Sequence, residues 1–215
     1  MTARVVVLTK SPEPGRVKTR LAADIGPRAA AILHEAMVWE TLERAKASGL
    51  PVTVSLDGPL DSSFAQRLVQ DGVAVEAQAK GDLGARLRHA LRHPGRQLAL
   101  GSDCVVFDPD WLREAAEATE TVALGKSMDG GYWTIGGNLA QIDLQDLLFD
   151  NMEWSVETVA TETLQRLHTA GKSVLMLPDC YDVDTITDLR RLSDDPRCVG
   201  RLRDVVTELS APISR

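Results

Sequence analysis

Residues 5–21 read VVVLTKSPEPGRVKTRL: a short apolar run that breaks into a loop holding two prolines, one glycine and four cations. Val5–Leu8 is continuously apolar, the pattern of a strand buried on both faces of a parallel sheet. Further along, apolar runs recur at Val52–Leu56, Val73–Ala77, Leu98–Leu100, Val122–Leu124, Tyr132–Ile135 and Val174–Leu177. Helical patterns separate most of them. One runs from about Pro27 to Ser48, with Ile32, Ala36, Trp39 and Leu42 as its apolar stripe and Gly49 and Pro51 as its stop. Phe64 and Leu68 mark a short helix, and Asp82–Arg92 and Trp111–Ala118 mark two more. A longer one covers Ser155–Ala170, with Ser155 as N-cap, and the chain from Thr185 on is helical apart from a break near Asp194-Asp195-Pro196. Alternation of this kind predicts an α/β fold with a mostly parallel central sheet covered by helices on both faces, Tyr132–Ile135 being a possible antiparallel member. No repeat, low-complexity tract or linker interrupts it, so residues 1–215 are expected to form a single domain.

Composition narrows the function. Hydrophobic residues make up 44% and charged residues 26%, the ordinary globular balance. A formal charge of −7 argues against a general nucleic-acid binder, whose affinity would rest on Lys and Arg at phosphates. The sequence has neither an 18-residue apolar stretch nor a signal-peptide pattern, so the expectation is a cytoplasmic protein without a membrane span. Cys104, Cys180 and Cys198 stand at unrelated spacings and read as reduced thiols. Cys104 has no nearby His to activate it, and the four histidines (His34, His89, His93 and His168) share no ligand spacing, so packed or surface roles are expected for all five.

In open α/β sheets ligands sit beyond the carboxyl ends of the strands, which directs attention to four loops. Lys10, Arg16, Lys18 and Arg20 follow the first strand, with Gly15 among them; they are either a solvated basic turn or a phosphate-binding loop, the latter favoured in so acidic a protein. Neither a Walker loop nor a dinucleotide fingerprint is present. Gly101-Ser102-Asp103 ends the fourth strand, where a carboxylate after small residues suits a hard cation beside a diphosphate, or caps the next helix. Asp129-Gly130-Gly131 allows close backbone approach to a ligand or forms a plain hairpin turn, and Tyr132 or Trp133 after it is placed to face a sugar or acceptor. Asp184 is either the N-cap of a helix opened by Thr185 or a second metal ligand.

Taken in order, KSPEPGRVKTRL (10–21), QAKGDLGARLRHAL (78–91), GSDC (101–104), DGGY (129–132), LFDNMEWS (148–155) and DVDTITDL (182–189) resemble a bacterial family of nucleotide-diphospho-sugar transferase-like proteins. Its members are often described as glycosyltransferases of arsenosugar-type pathways. Lys18-Thr19-Arg20-Leu21 and the later Asp motifs also look, more distantly, like phospholactate guanylyltransferases and molybdenum-cofactor nucleotidyltransferases. The resemblance implies a GT-A-type, Rossmann-like three-layer sandwich in which Arg16, Lys18 and Arg20 hold nucleotide phosphates. It implies that Asp103 and Asp184 bind Mg²⁺ or Mn²⁺, and that Gly81, Asp82 and Leu83 lie near the nucleobase or donor. Two positions depart from the family pattern: Val105 follows the cysteine of GSDC, and Glu153 precedes Trp154, where proline is usual.

The expected activity is therefore metal-dependent transfer from a nucleotide or nucleotide-sugar donor to a small-molecule acceptor. Glycosyl transfer comes first and nucleotidyl transfer with release of pyrophosphate second; a nucleotide-binding module without catalysis is a third reading. Lys10, Gly15, Arg16, Lys18, Arg20, Gly81, Asp82, Leu83, Gly101 and Ser102 are the candidate nucleotide-binding residues. Asp103, Asp129 and Lys18 are the candidate catalytic ones, with Asp129 or Asp184 as a base.

Overall fold

The computed structural model describes residues 3–140 and 142–210. Seven strands form one sheet: β1 (Arg4–Lys10), β2 (Val52–Asp57), β3 (Ala74–Ala77), β4 (Gln97–Gly101), β5 (Val122–Ser127), β6 (Tyr132–Gly137) and β7 (Val174–Cys180). Their spatial order is β3-β2-β1-β4-β6-β5-β7. The first four pair in parallel, with Val5 opposite Val52 on one side and Leu98 on the other. The short turn 128–131 joins β5 to β6 as a hairpin, so β6 runs antiparallel to both its neighbours, and β7 pairs in parallel with β5. Six strands thus share one direction, and β1, β4 and β7 end at the same edge of the sheet.

The helices are α1 (Thr19–Ile25), α2 (Pro27–Ala47), α3 (Ser63–Gln70), α4 (Leu83–Ala90), α5 (Pro109–Glu117), α6 (Ile142–Phe149), α7 (Val159–Thr169), α8 (Ile186–Asp194) and α9 (Gly200–Ser210). Strand alternation sorts them into layers. Val5, Val7, Leu98 and Leu100 point to the face that packs Val38 and Leu42 of α2, Phe64 of α3 and Leu112 of α5, and a shift in the β5–β6 register at Gly125/Lys126 turns Trp133 to the same face. Ala99, Val122, Leu124 and Ile135 point to the other face, against Leu87 of α4, Leu144 and Leu148 of α6 and Leu167 of α7. Each fully buried aliphatic side chain here contributes roughly 1.5–3 kcal/mol.

Several expectations are corrected by this packing. Ile32 is 55% exposed and does not belong to the apolar stripe of α2. The helix buries two faces instead of one: Val38 and Leu42 meet the sheet, while Leu33, Ala36 and Met37 meet an outer cluster with Leu21, Leu189, Leu202 and Val206. Val105 and Val106, where the family pattern has changed, fill that same cluster and are fully buried. The loop after β1 ends early, because its second half is helix α1. Ser155 is not a helix cap: its backbone is left-handed (φ 65°), and α7 starts after Thr158. Nor does Asp184 cap α8. Thr185 does, in a reciprocal capping box with Asp188. Helix α6 has no counterpart in the sequence reading. The break after Asp194 is present, and the expected helical run beyond Ser210 lies outside the described residues.

Candidate active site

At the shared edge of the sheet lies a cleft of about 960 Å³. Its floor is set by the backbone. The Val183 N–H donates to the carbonyl of Asp103 at 3.1 Å, tying the loop after β4 to the loop after β7. Val183 is fully buried, which turns Asp182 and Asp184 on either side of it toward the cleft they both line. From the opposite direction, Val17 and Leu21 anchor the start of α1 in the interior. Lys18, between them, takes a left-handed backbone (φ 46°, ψ 45°) that few side chains other than Gly or Asn tolerate well.

The strained turn delivers the Lys18 ammonium into the carboxylate pair. Its Nζ donates to Asp184 at 2.9 Å and makes a closer contact to Asp103. The Lys18 side chain is 2% exposed, whereas Asp103 and Asp184 are 47% and 42% exposed, so the lysine lies beneath two carboxylates that face the cleft. Burial alone would pull the lysine pKa down, but the two carboxylates outweigh it and hold the pKa above its ordinary value. Asp103 shows the reverse: burial pushes it up, Lys18 outweighs burial, and its carboxyl stays below the usual range. The basic turn is thus not a uniformly exposed loop, since its central lysine is built into the interior.

The remaining predicted residues divide. Lys10, Arg20, Leu83, Gly101, Ser102 and Asp129 line the cleft with Lys18, Asp103 and Asp184; Gly15, Arg16, Gly81 and Asp82 do not. Arg16 is spent locally, on Glu13 at 2.9 Å. Asp82 is the N-cap of α4, accepting from Ala85 N–H at 2.8 Å. Beneath the floor Thr9 bonds Ser102 at 3.0 Å, and His34 Nε2 lies 3.1 Å from the carbonyl of Lys10. His34 therefore lines the cleft as a packed residue holding β1 in place. Tyr132 and Trp133 both line the cleft, Trp133 with its ring stacked on Phe107 in the core at 5.3 Å.

Asp129 accepts from the Ser127 hydroxyl and from Gly131 N–H at 3.0 Å, so it shapes the β5–β6 turn. Gly130 has φ +91°, and a Cβ there would lie 2.0 Å from the carbonyl oxygen of Glu157. Its own carbonyl accepts from Ala160 N–H at 2.9 Å, stapling the turn to the start of α7. Gly130→Ala is expected to cost about 2–5 kcal/mol, from left-handed strain plus overpacking, read as a lower unfolding midpoint in urea. A midpoint within experimental error of the wild type would show that this turn is not held against α7.

Gln78, Arg86, Trp154 and Asp182 line the cleft although they were not among the candidate site residues. Gln78 and Arg86 line it from the β3–α4 side, and Trp154 packs its ring on Gly84, whose Cβ position lies 3.0 Å from Trp154 Cζ2. The spacing of GDLG and EWS carries no signal of that contact. Asp182 is more telling. Burial pushes its carboxyl up to about 6, with Asp129, Asp103 and Asp184 adding to the effect, while one oxygen accepts the Cys104 thiol at 3.1 Å. Two aspartates flanking one buried valine was the available clue. Cys104 is held as a thiol, its pKa raised well above normal by burial and then by Asp182.

Because the folded-state pKa of Asp182 exceeds the unfolded one, the native state binds this proton more tightly, and stability falls as pH rises from about 4 through 6. Asp182→Asn removes that loss. Relative to wild type, the variant should gain about 1–3 kcal/mol between pH 4.5 and pH 7.5, measured by urea melts at both values. An unchanged difference between the two pH values would contradict the raised pKa.

Asp103 and Asp184 fit a hard cation: two half-exposed oxygen donors converge on a single positive charge. Among the described residues no group of three or more His, Cys, Asp or Glu forms a closed metal site. Two carboxylates suit an ion such as Mg²⁺ or Mn²⁺ that draws its other ligands from water and phosphate oxygens. Among the described residues no helix is long and apolar enough to cross a membrane.

The fold, with its single reversed strand and its cleft over the ends of β1, β4 and β7, is that of the nucleotide-diphospho-sugar transferase class. The chain belongs to the bacterial family described as "Uncharacterized protein conserved in bacteria (DUF2064)", whose model matches residues 41–156 and so takes in Asp103 and Asp129 but neither Lys18 nor Asp184. A Desulfovibrio desulfuricans G20 protein described as a candidate nucleotide-diphospho-sugar transferase superposes with a TM-score of 0.88 at 26% identity, over 100% of this chain and 98% of its own. A Methanothermobacter nucleotidyl transferase gives 0.64 at 15% identity, over 96% and 98%. A manganese complex of a Mycobacterium tuberculosis H37Rv protein gives 0.53 at 18% identity, over 89% and 97%. The last two show likeness of fold alone. No curated protein matches the sequence.

Proposed function

We propose that this chain, working as one domain, is a metal-dependent transferase that uses a nucleotide-activated donor, and that it is a glycosyltransferase acting on a nucleotide-sugar. The observation that carries the reading is the convergence of Lys18, Asp103 and Asp184 at the mouths of β1, β4 and β7, beside Lys10 and Arg20. In this reading Lys10, Lys18 and Arg20 hold the diphosphate, and the Asp103–Asp184 pair holds Mg²⁺ or Mn²⁺. When bound, that ion supplies charge neutralisation of the departing diphosphate. In the same reading Asp129, a cleft-lining carboxylate held by Ser127 and Gly131, accepts a proton from the acceptor hydroxyl. The sugar lies against Tyr132 and Trp154. The manganese complex among the structural neighbours and the candidate sugar-nucleotide enzyme at 26% identity agree with this reading. A cytoplasmic setting fits the three free cysteines.

One observation favours a second reading, nucleotidyl transfer. Arg86 joins Lys10, Lys18 and Arg20 in lining the cleft, and four cations suit a triphosphate as well as a diphosphate. The products separate the two. Incubation with panels of nucleotide-sugars and nucleoside triphosphates, Mn²⁺ and phosphorylated or hydroxylated acceptors should release a nucleoside diphosphate. Pyrophosphate release would establish the second reading, and no product from any panel would overturn both.

A further inference from the structure

We infer that Lys18 is an exchangeable resident cation: it fills the position between Asp103 and Asp184 and gives it up to a divalent ion, turning its ammonium onto the donor phosphates. The inference rests on the metal-dependent reading above and adds to it a competition that sets when metal can bind.

The geometry supports exchange in three ways. First, the ammonium stands between the two carboxylates that a hard cation would use, so both cannot occupy the pair at full strength. Second, the carboxylates are open to the cleft while the lysine reaches them from beneath, so an ion can approach from the solvent side without first removing the lysine stem. Third, the ammonium is a compact charge with three donors on a flexible stem. Lys10 and Arg20, lining the same cleft, mark where phosphate oxygens would lie within its reach. The left-handed backbone at Lys18, pinned by buried Val17 and Leu21, fixes the root of the side chain so that only its tip has to move.

Charge fixes the direction of the exchange. One monovalent cation leaves the Asp103–Asp184 pair with a residual negative charge, and a divalent ion cancels it. Displacing the ammonium breaks its bonds to Asp103 and Asp184, and donor phosphate oxygens would replace them. Metal alone should therefore bind weakly, and metal with phosphate should bind well. The resulting coupling between metal and nucleotide is reciprocal by linkage.

The test uses Mn²⁺ alone, without nucleotide, titrated into the purified full chain and followed by the electron paramagnetic resonance signal of free Mn²⁺. The proteins are the wild type, Lys18→Asn, Lys18→Gly and the double variant Lys18→Asn/Asp103→Asn. Asn and Gly both accept the left-handed backbone, so one of them keeps the test alive if the other fails to fold. Removing the competing ammonium should tighten Mn²⁺ binding by at least about tenfold, the equivalent of 1.4 kcal/mol, and the double variant should lose the gain. Equal Mn²⁺ affinity in wild type and both single variants, or weaker affinity in the variants, overturns the exchange. If Mn²⁺ binds none of the proteins, the exchange is overturned. Donor turnover without added metal, assayed in parallel on the wild type, then shows whether the transferase reading survives.

Discussion

Lys18→Asn is expected to reduce turnover of the nucleotide donor by about 10²–10³-fold, the usual scale for losing one preorganised group at a site of developing charge. Lys18 faces two carboxylates from a buried position, and asparagine keeps the left-handed backbone while removing the charge. The same change should cost stability. Asp103 and Asp184 would face each other with no cation between them, and because both are half-exposed the cost at neutral pH is about 1–3 kcal/mol. Its pH dependence has a definite sign. In the wild type Lys18 holds the Asp103 pKa below the unfolded value, so that stability is present above the unfolded pKa and lost as pH falls. The variant has none to lose, so the two stabilities should converge toward pH 3. Steady-state kinetics at pH 7.5 and urea melts from pH 3 to 7.5 check both halves. Wild-type turnover in the variant, or a deficit that stays constant into acid, would remove Lys18 from the site.

Asp103→Asn should lower turnover by a similar factor, about 10²–10³-fold, for a different reason: Lys18 keeps its place on Asp184, but the pair can no longer hold a divalent ion. The change should also cost about 1–3 kcal/mol of stability at neutral pH, because the buried Lys18 loses its closer carboxylate partner, although the Asp103 carbonyl still accepts from Val183. Asp184→Asn is the mirror case, and Thr185 and Asp188 cap α8 without it. Full turnover in either variant would leave the two aspartates as counter-ions of Lys18 and nothing more.

The strand pattern and the shared edge were legible because they depend on short-range signals. Continuous apolar runs mark buried parallel strands, and a shared direction puts the ends of β1, β4 and β7 at one edge. However, β6 and β5 separate β4 from β7, and the loop after β7 has to reach across to Asp103. What the four cations of the first loop do was only half legible. Arg16 is diverted by a glutamate three residues away, and Lys18 is buried by the anchoring of Val17 and Leu21, so contacts within the loop decide which charges reach the cleft. Trp133 was not legible from parity, which would put it on the face of Ile135. The β5–β6 register shifts at Gly125/Lys126 and turns it to the opposite face, where the rings beside it, Phe107 and Trp111, come from distant sequence. Gln78, Arg86 and Trp154 line the cleft through long-range packing that their local sequence does not announce, whereas the aspartates on either side of Val183 marked Asp182.

The claim on which everything else depends is that Asp103 and Asp184 bind one divalent cation together with the nucleotide. It is tested most directly by calorimetric titration of nucleotide, chosen from a thermal-shift panel, into wild type, Asp103→Asn and Asp184→Asn at several Mn²⁺ concentrations. Wild-type affinity should rise with Mn²⁺, while each variant keeps a weaker, metal-independent affinity through Lys10, Lys18 and Arg20. Wild-type affinity that ignores Mn²⁺, or a full metal response in both variants, would contradict the account.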